Sequence, residues 1–257
     1  MKKLSLLASA AALAATLPLS AQDAPPAVPE DAIAPKDSAP AFEVSTRIGA
    51  RSLNKTDFWE TGPGAQVELR VPLGNSPLDI TARGYYAVLE KKKGASDNVF
   101  AYYSNGRADV WVEADDGDAT YYGGNVQLQL NFDRGAMLNP YIAAGCVYEK
   151  EKIDLECRIY GRDSRYFYDL GSAKFKFSDD GTAFVGRVGM EFNFDKVWLL
   201  AECGWMSESY DDSDDAQATI VGRAGWYFSK NCRLDVGVDY YVEWEDLFVS
   251  AGVGFLL

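Results

Sequence analysis

The chain has 257 residues, a formal net charge of -13 and no histidine. An acidic surface repels phosphate backbones, which argues against nucleic acid as a partner. The missing imidazole removes the commonest general base and the commonest metal ligand together.

Lys2 and Lys3 precede an apolar run over residues 4–17, followed by Pro18, Leu19, Ser20 and Ala21. A basic start, an apolar segment and a small-residue cleavage site read as a signal peptide over residues 1–21. The run is too short and too Ala-rich for a membrane-spanning helix. No cysteine stands at the cleavage point, so a lipid anchor is not expected. Residues 22–40 are rich in Ala, Pro and Asp and bury too little to fold, so they read as a disordered periplasmic leader. Residues 41–257 form one further domain, with no second apolar run of helical spanning length. If this domain crosses a membrane, it crosses with strands.

From Phe42 onward, apolar and polar residues alternate with period two, the signature of strands. Phe42, Val44, Thr46, Ile48 and Ala50 oppose Glu43, Ser45, Arg47, Gly49 and Arg51. Residues 65–73 and 78–86 repeat the pattern, as do 126–132, 139–149, 182–194, 197–207, 218–228 and 232–242. The last strand runs from Leu247 to Leu257, with apolar residues at every second position. A strand of this kind at a chain end suits a closed barrel, whose last strand pairs with its first and leaves no free edge. The expected fold is all-β: an up-and-down antiparallel transmembrane barrel of about ten strands, with eight or twelve as alternatives.

Short connections alternate with long, polar, acidic ones, so the turns gather on one rim and the loops on the other. Asn105-Gly106 is a strong hairpin signal within residues 98–114. Each half of that hairpin is near seven residues, short for a spanning strand. It is therefore expected to stand outside the membrane, the alternative being two more barrel strands. Residues 153–160 and 166–177 read as neighbouring strands that continue past the membrane.

Alternation alone does not separate a membrane barrel from a soluble ligand-binding one, whose apolar face points inward. The polar face here mixes opposite charges, as expected of groups that pair within a confined lumen. The expected lumenal network comprises Glu43, Arg47, Glu68, Arg70, Arg83, Arg187, Glu191, Glu202, Arg223, Arg233 and Asp235, with Asp79 and Asp239 on the same face. Aromatic residues near strand ends (Phe132, Tyr141, Phe192, Phe194, Trp198, Trp226 and Phe228) are expected to form the interfacial girdles.

The run Leu138-Asn139-Pro140-Tyr141-Ile142-Ala143-Ala144-Gly145 resembles the "LxPYVGAG" strand of the small outer-membrane β-barrel proteins, the OmpA-like and opacity-protein-like group. Val188-Gly189-Met190-Glu191-Phe192-Asn193-Phe194-Asp195, followed by Trp198-Leu199-Leu200-Ala201-Glu202, is similar to that group's "GxEYxL…WxLxAEY" hairpin. The chain departs from the group in ending on Leu257 where its members commonly end on Phe, and in its strand number. The resemblance implies an outer-membrane location, lipid and lipopolysaccharide as surroundings, insertion by the barrel-assembly machinery through the C-terminal strand, and a monomer.

Four cysteines (Cys146, Cys157, Cys203 and Cys232) lack CxxC spacing and give no thiolate zinc site. They allow three disulfide pairings, and spacing does not choose among them. Enzymes among outer-membrane barrels use a histidine in the catalytic group, so no enzymatic activity, catalytic residue or cofactor is expected. The acidic clusters at 115–118, 179–181 and 211–215 match no calcium-loop spacing and read as solvated loop charge. The expected function is therefore a surface protein for envelope structure, adhesion or recognition through acidic loops. The alternatives are a narrow cation-preferring channel and a soluble ligand-binding barrel.

Overall fold

The computed structural model describes residues 42–53, 58–92, 98–104, 107–134, 136–163, 166–207 and 217–257. The expected signal peptide and leader, the 105–106 turn and the acidic cluster at 211–215 lie outside these residues. The strands are β1 (Glu43–Leu53), β2 (Gly62–Pro72), β3 (Leu78–Glu90), β4 (Asn98–Ser104), β5 (Arg107–Asn131), β6 (Leu138–Asp163), β7 (Tyr166–Asn193), β8 (Val197–Met206), β9 (Gln217–Ser229), β10 (Cys232–Tyr241) and β11 (Asp246–Leu256).

All pairings are antiparallel between chain neighbours, with two exceptions that define the architecture. Strand β1 pairs with β11 over its full length, from Glu43 opposite Leu256 to Leu53 opposite Asp246. Strand β3 pairs with β5, from Leu78 opposite Leu130 to Glu90 opposite Asp118, so β4 is left out of the ring. The result is a closed barrel of ten strands. Strand β4 pairs only with the upper part of β5, Asn98 standing opposite Glu113. The 98–114 segment thus forms the hairpin expected outside the ring, because β5 offers a free edge only where β3 has ended.

The period-two pattern maps onto the barrel wall with apolar residues outward. Ile48, Val126, Phe184 and Val188 are 58–74% exposed, and Val67, Leu128, Leu234, Val236 and Val249 share that outer face. Arg47, Gln66, Asp79, Gln127, Arg223, Asp235 and Ser250 are buried on the other. A soluble ligand-binding barrel has the reverse arrangement. Strands of ten to thirteen residues, as in β1–β3 and β8–β11, match the length of about ten that a tilted strand needs to cross a bilayer.

Among the expected girdle residues, Phe132, Phe194, Trp226 and Phe228 are exposed on the outer face, as required. Tyr141 and Trp198 are not girdle residues. They share parity with Ala143 and Leu200 and pack with these and Val221 inside the barrel. Position along the strand was a poorer guide than parity.

Strands β5, β6 and β7 have 25, 26 and 28 residues, far more than the ring uses. Pairing of β6 with β7 continues to Asp163 opposite Tyr166, whereas β8 joins β7 only from Val185 downward. The upper halves of these strands and β4 therefore form a four-stranded sheet outside the ring. At a rise of about 3.3 Å per residue, it extends roughly 40 Å beyond Lys150. One face of this sheet carries Val112, Ala114, Leu155 and Cys157, all buried, against which Phe58, Trp59, Ile153, Ile159 and Phe175 pack. Phe58 and Trp59, on the connection from β1 to β2, are held there by backbone bonds: the Lys92 N–H donates to the Phe58 carbonyl at 2.8 Å, and the Glu60 N–H to that of Glu90 at 2.8 Å.

Candidate functional site

Among the described residues the lumen is where charge is concentrated away from solvent, and it is crossed at three levels. Near the rim that carries the short turns, Arg70 donates to Asp79 at 2.7 Å, to Glu191 at 2.6 Å and to Asn131 at 2.9 Å. Asn139 links Asn131 (3.0 Å) to Glu191 (2.9 Å), and Arg134 reaches in from the β5–β6 turn to pair with Asp79. On the opposite wall, Arg233 bonds Asp235 at 2.6 Å, pairs with Glu43 and lies 4.0 Å over the Trp198 ring. Residues of eight strands meet here only because each strand presents this parity inward.

At mid-height, Glu68 is a hub. One of its carboxylate oxygens accepts from Arg47 at 3.2 Å, from Arg83 at 3.2 Å and from Arg223. Arg47 also donates to Gln66 (3.2 Å) and Ser45 (3.0 Å), and Gln66 donates to Asp239 at 3.1 Å. Beside the hub, Glu202 accepts from Arg187 at 2.9 Å and from the Tyr141 hydroxyl at 2.6 Å. The Tyr141 ring fits because position 189 is glycine: a Cβ there would lie 2.4 Å from the ring. Gly225 likewise gives way to Asp235 and Arg233, whose atoms would stand 2.8–2.9 Å from a Cβ.

At the loop rim, Arg51 grips Asp246 through Nε (3.0 and 3.1 Å) and a terminal nitrogen (2.6 Å). Its guanidinium lies 4.7 Å over the Tyr121 ring, and the Tyr85 hydroxyl donates to Glu149 at 2.6 Å. Such charge-assisted and bidentate contacts are the stronger hydrogen bonds of proteins, and breaking one partner of a buried pair is costly. Between the levels lies a polar cavity of about 30 Å³, bordered by Glu68, Arg83, Gln127, Glu191 and Glu202. That space suits water and is far below the several hundred Å³ of a solute pocket.

The eleven residues expected in the network all carry inward parity and all make ion pairs inside the lumen. Sequence reading missed Arg51, Arg134, Glu149 and Asp246. Arg51 and Glu149 were legible from parity, being two residues beyond Gly49 and Val147 on the same face. Arg134 and Asp246 sit at a turn and at a strand's first residue, where parity gives no guidance.

Outside the ring the charges behave differently. Arg158 pairs with Asp115 at 3.0 Å, Lys176 with Asp154 at 3.0 Å, Lys174 with Glu156, and Lys150 with Asp180 at 3.1 Å. These pairs are exposed, and the adjacent Asp115 carboxylate raises the Arg158 guanidinium only further into its charged range. Burial pushes the Cys157 thiol up, which makes it a poor nucleophile. All four cysteines are free thiols. Among the described residues there is no group of three or more Cys, Asp or Glu able to hold a metal ion.

No protein-family model and no curated protein matches the chain. Solved structures do. The outer membrane protease OmpT from Escherichia coli is similar over 85% of this chain and 94% of its own, with 10% identity and a TM-score of 0.50. Neisserial surface protein A matches over 84% and 97% at 12% identity and a TM-score of 0.39. OprG from Pseudomonas aeruginosa matches over 84% and 95% at 9% identity and a TM-score of 0.38. The chain thus has the fold of the small outer-membrane β-barrels.

Proposed function

We propose that the protein is a non-enzymatic resident of the outer membrane that works at the cell surface, recognising a partner through the sheet and loops outside its barrel. The observation that carries this reading is the distribution of structure. The lumen is crossed at three levels by arginine–carboxylate contacts, and the cavity between those levels holds about 30 Å³, whereas three strands invest about half their length outside the ring. A conduit needs a continuous path, and an exposed sheet is of no use to one. Lipid and lipopolysaccharide surround the outward apolar belt, the terminal strand engages the assembly machinery, and the barrel is monomeric, since it buries its own ionic face.

OmpT is a protease, but a fold shared at 10% identity transfers no activity. The absence of histidine from the whole chain supports a non-enzymatic role. The test is reconstitution of the full chain into a planar bilayer. A bilayer that stays silent across ±100 mV is the expected result; steady, cation-selective openings would show the narrow-channel alternative to be right.

A further inference from the structure

The connection from β10 to β11 is short for the loop rim: Val242, Glu243, Trp244 and Glu245 turn back directly into Asp246. It does not stand upright. The Val242 N–H donates to the Ala218 carbonyl at 2.9 Å, and the Glu243 carboxylate accepts from the Ala218 N–H at 2.7 Å. Both bonds tie the turn to β9. Trp244 then reaches past β9 and packs on Val147, Ala183 and Met206, buried residues on the inner faces of β6, β7 and β8. Its ring also stacks on that of Tyr241 at 6.3 Å. An indole from the β10–β11 side of the barrel thus lies across the loop-side mouth of the lumen. Val242 and Glu243 stay exposed on the outer side of the turn.

Two features work against this seat. Gln217 stands opposite Met206 and is 3% exposed, yet neither its Nε2 nor its Oε1 has a hydrogen-bond partner. Thr219, two residues on along the same inner face, buries its hydroxyl without a partner as well. An amide and a hydroxyl shut away from water in this way destabilise the arrangement that shuts them away. The neighbouring groups are engaged elsewhere, Glu149 with Tyr85 and Asp246 with Arg51. The second feature is Glu245, whose φ of 49° lies in the left-handed region that a side chain with a Cβ rarely adopts. Among the described residues no other non-glycine has a positive φ. Swinging the turn outward hydrates Gln217 and Thr219 and releases the Glu245 backbone. Opening therefore recovers part of what it gives up in apolar contact.

We propose that residues 242–245 are a movable plug, with Trp244 as the stopper and Glu243 as the latch. Seated, Trp244 seals the loop-side mouth. Withdrawn, it opens the upper lumen, with Gln217, Thr219, Glu149 and Tyr241 on its wall, to water from the loop side. The arginine–carboxylate levels below stay in place. An open plug therefore exposes a recess, adds no path through the barrel and leaves a planar bilayer silent.

Met206, 4% exposed and packed by Trp244, is a native reporter of the plug. The full chain in detergent micelles would be treated with dilute hydrogen peroxide, and sulfoxide at Met206 followed by peptide mass against Met137, which is 57% exposed beside the β5–β6 turn. In the wild type Met206 is expected to oxidise far more slowly than Met137 and yet faster than the barrel unfolds, the mark of local opening. Glu243→Ala removes the latch and should speed Met206 by about fivefold, the effect of one hydrogen bond. Glu243→Gln, which keeps an acceptor, should speed it less. Thr219→Val and Gln217→Leu remove the unpartnered groups, favour the seated turn and should slow Met206 by a similar factor. Heat-modifiable migration confirms that each variant is folded. Oxidation of wild-type Met206 at the rate of Met137 would show that nothing is seated over it, and oxidation only at the rate of unfolding would show that the turn does not move. Either result overturns the proposal, as does a rate that Glu243→Ala, or both apolar substitutions, leave at the wild-type value.

Discussion

Strand β6 obeys one rule in its lower half and the opposite rule in its upper half. Up to Tyr148, residues of even number (Ile142, Ala144, Cys146 and Tyr148) are apolar or neutral and exposed on the barrel wall, while Asn139 and Glu149 are buried in the lumen. From Lys150 upward, the even positions become Lys150, Lys152, Asp154, Glu156 and Arg158, and after Glu151 the odd ones are Ile153, Leu155, Cys157 and Ile159. Side-chain parity does not slip anywhere along β6; the surroundings change. Below, hydrocarbon wants the outer face apolar, and confinement lets polar groups pair within. Above, water wants the outer face charged, and the inner face must supply an ordinary core. On the outer-membrane reading proposed above, the inversion past Tyr148 marks where the apolar band would end.

The two regions should fail differently when cut. Glu68→Ala removes the acceptor shared by three lumenal arginines and is expected to cost about 3–5 kcal/mol, the range for breaking a buried ion pair. Urea unfolding in micelles would read this as a lower midpoint of the whole barrel. Val236→Arg, at mid-strand on the outer wall, should cost about 2–4 kcal/mol by the same assay, because it places a charge in hydrocarbon. A cost near zero would mean that the outer wall meets water, and the comparison would collapse.

In the external sheet, Leu155→Ala should cost about 2–3 kcal/mol of local stability by opening a cavity among Val112, Cys157 and Phe175. Limited proteolysis should then cut within residues 107–118 and 150–180, while heat-modifiable migration stays as in wild type. Loss of that migration would mean that barrel and sheet fold as one unit. Trp59→Ala uncovers the same cluster, so Cys157, buried at 1% exposure, should react several-fold faster with a water-soluble maleimide. The smallest effect is expected from Lys174→Ala: its pair with Glu156 is exposed and screened, and the unfolding midpoint should not move.

Much of this was legible before any coordinates. Alternation located the ring strands, and the length of each half of the 98–114 hairpin was enough to put it outside the ring. The lumenal network followed from charge at inward parity. What escaped has physical reasons. Tyr141 and Trp198 pass for girdle residues by position, and only the space left by Gly189 and the arginine stacked on Trp198 show why an aromatic ring belongs inside. Arg51 and Asp246 meet across 195 residues of sequence, a closure that no local pattern announces. The cover formed by Phe58 and Trp59 comes from a connection whose residues show no periodicity. Nor did any pattern say that β7 would run on past the described part of β8.

The pairing of β1 with β11 makes a seam between the first and last strands of the domain. All eleven rungs of that seam join residues 193–213 positions apart, from Leu53 with Asp246 to Glu43 with Leu256. Every other ring pair joins strands near each other in sequence, but this ladder must wait until β11 has been made, and until then the sheet keeps two unpaired margins. The rate of final closure should fall steeply when the last strand is loosened, even where the finished barrel tolerates the change.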